Sequence, residues 1–160
     1  MLQTSYNVIK IANYIIEIAN SQENQKLVVQ GKNQLTNLRL QKILYFLQGF
    51  HYAEFDCPLF NEDLMAWQYG PVCPDVYYTF RRFGNKLIDQ QASNFGTNIE
   101  LSDETKVFIE SIYLFLQKFS TVQLVDKTHQ EIPWIIAYKA YGSVINKGLI
   151  QSFYQNEYGR

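Results

Sequence analysis

The sequence is short of charge, cysteine and histidine and has no long apolar run, and each shortage narrows what the chain can do. Charged residues make up only 18% of its 160 residues, with a net charge of -1 and a pI near 6.1. There is no basic field to hold a phosphate backbone and no polybasic patch for an anionic membrane, so neither nucleic acid nor membrane is an expected partner. The two cysteines, Cys57 and Cys73, and the two histidines, His51 and His129, stand far apart in sequence. None of them forms the close pairing that marks zinc or redox motifs, so no metal and no cofactor is expected. No stretch approaches the roughly 20 apolar residues that a spanning helix needs. The opening Met-Leu-Gln-Thr-Ser-Tyr lacks the basic segment and apolar run of a secretory signal. The expected compartment is therefore the cytoplasm, where both cysteines stay as thiols.

Apolar residues, by contrast, are plentiful at 47%, and aromatic ones at 16%, with 12 Tyr and 11 Phe. A chain of this length buries a sizeable core without disulfides or metal, and a single domain over residues 1–160 is expected. Tyr serves cores and interfaces equally well, so its abundance points to a binder.

The periodicity predicts a mainly α fold, a single helical domain with a minor two-stranded β element. The stretch from Leu38 to Gly84 is its centre. Leu40, Ile43, Leu44, Leu47 and His51 follow helical spacing, and Phe46 and Phe50 widen the stripe, so the helix is apolar over more than half its circumference. Thr36 offers it an amino-terminal cap, and Asp56-Cys57-Pro58 ends it. Alternation over Leu64 to Tyr69 predicts a short strand carrying Trp67, for which Lys86 to Gln90 is the expected partner. Gly70-Pro71 makes a stiff corner after the strand. Pro74 opens the next helix with Asp75 beside it; Val76, Phe80 and Phe83 form its buried face and Gly84 its stop.

The rest of the chain reads the same way. Val8, Ile11, Ala12, Ile15 and Ala19 define a first helix from about Tyr6 to Asn20, and Ser21 to Gln34 reads as a surface connection. Residues 91–100 read as a polar loop. Ser102 caps a core helix bearing Phe108, Ile112, Phe115, Leu116 and Phe119. Ser120 and Gln123 form a capping-box pattern for a helix from Thr121 to about Thr128. Pro133 seeds a short helix with Trp134, Ile135 and Tyr138. Asn146 caps a last helix in which Ile150, Phe153 and Tyr154 face inward, leaving QNEYGR as an expected frayed end.

Candidate sites are few. A Cys-His nucleophile assembled from Cys57 or Cys73 with His51 or His129 lacks matching context, and His51 and Cys57 are more simply core residues, so no catalytic residue is assigned. Glu54, Asp56, Glu62 and Asp63 read as solvated carboxylates around a loop. Two readings fit Tyr69-Gly70-Pro71-Val72: a structural corner, or a rigid turn that presents Trp67 and Tyr69 to a ligand. Two also fit His129: an exposed contact residue, or a ring that caps a helix end against a carbonyl near Trp134. Arg81 and Arg82 are accounted for by the helix dipole.

LQKILYFLQGFHYAEFDCPLFNEDLMAWQYGPVCPDVY, with its Leu-Gln-Lys helix, Ala-Trp strand and Gly-Pro-Val turn, resembles the core signature of the SocA-like Panacea antitoxin domain family, the phage-associated GepA-type proteins. Leu40, Gln41, Lys42 and Tyr45 on the helix match it, as do Trp67, Gly70, Pro71, Val72 and Tyr77 around the turn. Farther on, Thr128-His129 and Pro133-Trp134 are similar to the family's Thr-His and Pro-Trp element, and the resemblance runs from about Tyr6 to about Tyr154. It implies neutralisation of a toxin, commonly encoded next door, by direct protein-protein binding, with delivery of the bound toxin to an ATP-dependent protease as a second mechanism. The chain is expected to carry this domain alone, without a DNA-binding partner domain. The toxin-binding face is expected near the Gly-Pro corner, drawing on Tyr69, Tyr77 or Tyr78 with His129 at its rim. Two rival readings are a phage-associated interaction protein without a toxin and an uncharacterised enzyme.

Overall fold

The structure, a computed structural model, describes residues 5–89 and 100–159. Its described residues are mainly α-helical: α1 Val8–Ala19, α2 Gln22–Gln25, α3 Asn37–Phe55, α4 Pro74–Thr79, α5 Asp103–Leu116, α6 Thr121–His129, α7 Ile132–Lys139 and α8 Lys147–Tyr158. A single two-stranded antiparallel sheet, β1 Met65–Trp67 and β2 Gly70–Val72, joins α3 to α4. The loop expected over 91–100 lies, up to residue 99, outside the described residues.

Helix α3 is the axis of the core. Its stripe covers both faces, so nearly every residue from Leu40 to Gly49 is buried, polar ones included. Burying a polar group costs free energy unless a partner replaces water, and α3 supplies partners throughout. Gln48 accepts from the Leu59 N–H and donates to the Phe60 carbonyl. That fastens the segment leaving the helix, which turns at Asp56 in the left-handed region. Arg39 is fully buried and crosses to the carboxyl end of α5, where it donates to the carbonyls of Leu116 at 2.9 Å and Phe119 at 3.0 Å. It also donates to Thr121 Oγ1 at the start of α6. A helix end leaves carbonyls free and carries partial negative charge, so the guanidinium satisfies both needs. Burial lowers its pKa to about 10, which still leaves it charged at neutral pH.

Helix α8 packs against α3 at Gly49, where an added Cβ would lie 2.5 Å from the Tyr154 ring. Of the tail expected to fray, residues 155–158 are instead the last turn of α8: Gln155 donates to the Tyr52 carbonyl and to Asp56 across the contact with α3. On α5 the buried stripe is Phe108, Ile109, Tyr113 and Leu116, one position round from the expected one, and Phe115 is 42% exposed. The capping box of α6 forms as expected, with Ser120 and Gln123 each accepting from the other's backbone.

The expected strand partner is corrected. Lys86 to Asp89 is not a strand; Ile88 donates to the Leu35 carbonyl, and the partner of the Trp67 strand is Gly70–Val72 itself. The stretch from Ser21 to Gln34 lies at the surface as expected, but it contains α2 and is tied to the core. Asn33 is buried and donates to the carbonyls of Leu27 and Gln117, while the Thr121 N–H donates to the Lys32 carbonyl.

Candidate interaction site

Met65 pairs with Val72, Ala66 with Pro71 and Trp67 with Gly70, leaving Gln68-Tyr69 as the turn. Gly70 has φ +104°, the positive value needed after a turn whose two central residues both have negative φ. The corner thus folds the strand back on itself rather than sending it toward residue 86.

Main-chain groups on both outer edges of this hairpin are taken. Beyond β1, the Ala66 N–H donates to Ser143 O and the Ile145 N–H to Leu64 O. Beyond β2, Pro71 has no N–H, Lys42 Nζ donates to the Pro71 carbonyl at 2.8 Å, and Gln41 Oε1 accepts from the Cys73 N–H at 2.8 Å. Any partner must therefore meet side chains, since edge pairing needs free main-chain groups.

The tip is gripped as firmly. His129 Nε2–H donates to the Gln68 carbonyl at 3.0 Å, and Trp134 Nε1–H to the Trp67 carbonyl at 3.0 Å. The His129 ring stacks on Trp134 at 4.2 Å, and Trp134 on Tyr138 at 4.5 Å. Gly70 sits in a slot: an added Cβ would lie 2.7 Å from Lys42 Cε and 2.7 Å from Thr128 Oγ1. Thr128 donates to the Val125 carbonyl, which fixes its side chain. Three residues before Trp134, the buried carboxyl of Glu131 accepts from Tyr45 and Tyr154, each at 2.8 Å.

Gln41, Lys42, Gly70, Pro71, Val72, Thr128 and Trp134 are therefore buried in or against the hairpin, and Leu40, Tyr45 and Pro133 are buried as well. His129 fits neither expectation fully. It is half-buried, and it caps a hairpin turn across the fold, not a helix end. Trp67 is half-buried too; the buried indole is that of Trp134, at 7% exposure. Outward from the hairpin, Trp67 packs edge-on to Tyr77 at 5.0 Å, Tyr77 to Tyr78 at 5.4 Å, and the Arg81 guanidinium lies over Tyr78. Tyr69 is 61% and Tyr78 58% exposed, whereas Tyr77 is half-buried. Beside them runs a groove of about 620 Å³, walled by Gly31, Lys32 and Gln34 on one side and by Trp67, Tyr69 and Tyr77 on the other.

Lys42 has no acidic neighbour to offset its burial, and desolvation lowers its pKa from 10.5 to about 7. Between those values the unfolded chain holds a proton that the folded one has released, so stability rises with pH. The rise is expected from about pH 7 to pH 8.5, before cysteines exposed on unfolding ionise, at up to about 1.4 kcal/mol per pH unit. Urea unfolding midpoints across this range measure it. Lys42→Met should abolish the slope; an unchanged slope in that variant places its origin elsewhere.

The remaining candidates form no reactive centre. His51 Nδ1 lies 2.7 Å from the Cys57 carbonyl, not its thiol, and burial lowers the imidazole pKa. Burial pushes the Cys57 thiol up and the Cys73 thiol to about 11, the opposite of what a nucleophile needs. The loop carboxylates are exposed or half-buried, and three are latched: Asp56 to Gln151, Glu62 to the Val8 N–H, and Asp63 to Lys147. No cluster of three or more His, Cys, Asp or Glu able to hold a metal occurs among the described residues, and none of their helices is long and apolar enough to cross a membrane.

Residues 40–135 match the family described as Antitoxin SocA-like, Panacea domain, and the chain belongs to it. Antitoxin SocA of Caulobacter vibrioides (strain NA1000 / CB15N) is 33% identical over 124 residues, which is 72% of this chain and 66% of that protein. The match therefore spans just under two thirds of the Caulobacter antitoxin's length. No solved structure matches the chain.

Proposed function

We propose that this protein is an antitoxin that neutralises a toxin, encoded by an adjacent gene, by binding it directly through the aromatic face of the hairpin. It works as one unit over residues 1–160, in the cytoplasm, without cofactor or catalytic step. One observation carries this reading. Gln41, Lys42, Thr128, His129 and Trp134 spend their polar contacts on the hairpin or its own helix, while Trp67, Tyr69 and Tyr78 are left with their rings partly or largely in solvent. Interface energy concentrates in a few rigid aromatic anchors, and a preorganised scaffold lowers the cost of presenting them.

The test is co-expression with the product of the neighbouring reading frame. Tyr69→Ala and Tyr78→Ala should keep the wild-type melting temperature, and together weaken binding by about 2 kcal/mol or more. Trp67→Ala should lose rescue at a folding cost of about 1–2 kcal/mol, since its indole is only half-buried. Full rescue by all three variants would put the binding face elsewhere. The level of toxin separates the two mechanisms: rescue at a constant level supports direct neutralisation, and rescue with falling toxin supports delivery to an ATP-dependent protease. If no neighbour is toxic, the chain is an interaction protein without a toxin partner.

A further inference from the structure

Resting on that reading of the face, we propose that the groove beside the hairpin receives an extended, acidic segment of the partner protein. Its main-chain carbonyls meet unpartnered N–H groups along the groove, and its carboxylate pairs with Lys32.

The argument is an inventory of donors and acceptors. Acceptors along the groove are mostly used up within the fold: Gln34 Oε1 takes the Gly31 N–H, Asn37 Oδ1 takes Gln41 Nε2–H, and Gln41 Oε1 takes the Cys73 N–H. The carbonyls of Lys32, Trp67, Gln68 and Tyr77 are occupied as well. Donors are left over. The Gln34 amide N–H groups, the Trp67 indole N–H and the Lys32 ammonium have no partner among the described residues. Asn37 and Gln41, buried at 3% and 1% exposure, each spend one amide hydrogen and keep the other. The Gln68 and Asn85 side chains and the Tyr69 and Tyr77 hydroxyls offer both kinds of group, the Thr36 and Thr121 oxygens already accept within the fold, and no Asp or Glu lines the groove.

Donors with no partner inside the fold, gathered in a partly enclosed groove, suit a ligand rich in acceptors. An α-helix spends its carbonyls in its own ladder, whereas an extended chain turns them outward, so the groove favours the extended form. With one lysine in the lining and a net charge of -1, there is too little counter-charge for a polyphosphate chain. A single carboxylate opposite Lys32 matches what is present.

Selection of a random linear peptide library displayed on phage, followed by fluorescence titration of synthetic copies of the selected peptides, tests the proposal. Selected peptides should carry Asp or Glu near an apolar residue. Their Kd should rise about tenfold or more in Gln34→Glu, Lys32→Glu and Trp67→Ala, a change of about 1.4 kcal/mol or more. Gln34→Glu keeps the oxygen that takes the Gly31 N–H, so it exchanges donors for charge without unmaking the wall. Val107→Ala, on α5, should leave Kd unchanged. Selection of no peptide, equal binding by Gln34→Glu and Lys32→Glu, or binding of a random single-stranded oligonucleotide in the groove would each overturn the proposal. The two readings fail separately. Peptide binding as described with no toxic neighbour removes the antitoxin reading and keeps the groove; full rescue by both Gln34→Glu and Lys32→Glu removes the groove and keeps the antitoxin.

Discussion

Gly70→Ala should destabilise the protein by about 3 kcal/mol and abolish its protective activity, because the substitution is refused by the backbone and by the surroundings at once. A Cβ at φ +104° is strained whatever the space around it, at a cost of about 1–2 kcal/mol. Contacts of 2.7 Å with Lys42 Cε and Thr128 Oγ1 add an overpacking cost of about 1–3 kcal/mol. Neither neighbour yields easily, since Lys42 is tied to Pro71 and Thr128 to Val125. Relief must come from the hairpin, which would lift off α3 and take the Trp67–Tyr69 tip with it. Gly31→Ala isolates the first effect: its φ is +78° with nothing within 4 Å, so it should cost only about 1 kcal/mol. Urea midpoints for the two variants, read beside growth rescue, measure the difference. Equal midpoints would mean that the slot around Gly70 is slack.

Features written in local sequence were legible. Thr36, Ser102, Ser120 and Asn146 each accept from the backbone N–H three residues on, as their positions before an apolar run predict. The hairpin was half legible. The strand carrying Trp67 lies inside the expected stretch, but Gly70-Pro71 reads as a corner, because a glycine of positive φ suits a corner and a hairpin turn equally well. The charged residues that hold the site were harder. Lys42 looks like any helix lysine until Pro71, distant in sequence, turns its carbonyl toward it. Glu131 lies inside the Thr-His to Pro-Trp element yet carries no local mark of its role, since its partners Tyr45 and Tyr154 come from two other helices. One signal did bear on both Arg39 and Lys42: a helix apolar over more than half its circumference buries the polar residues between its stripes as well. Exposure of Tyr69 and Tyr78, by contrast, depends on how α4 follows the hairpin, which no local pattern states.

Glu131→Ala is expected to cost about 3–5 kcal/mol, because it strands two buried tyrosine hydroxyls and opens a cavity beside them. Glu131 Oε1 accepts from both Tyr45 and Tyr154, and both rings are fully buried where α3 meets α8. Oε2 has no hydrogen-bond donor; Lys127 Nζ stands at 3.7 Å, an ion-pair separation, and is itself partly exposed. Desolvation therefore prevails over the two hydroxyls and Lys127, and raises the carboxyl pKa above 4.5. Between 4.5 and that higher value the folded protein holds a proton that the unfolded chain has released. Stability from this group is therefore greatest at and below the unfolded pKa and declines as pH rises through the folded one. Glu131→Gln keeps an oxygen for both hydroxyls and never ionises, so it should cost about 1 kcal/mol or less near neutral pH and remove that decline. Unfolding midpoints at pH 5 and pH 7 for the wild type, Glu131→Ala and Glu131→Gln distinguish these outcomes. If the Gln variant falls as far as the Ala variant, the charge paired with Lys127 is what holds the junction; if neither falls, the two tyrosines find other acceptors and the junction of α3 with α8 does not depend on Glu131.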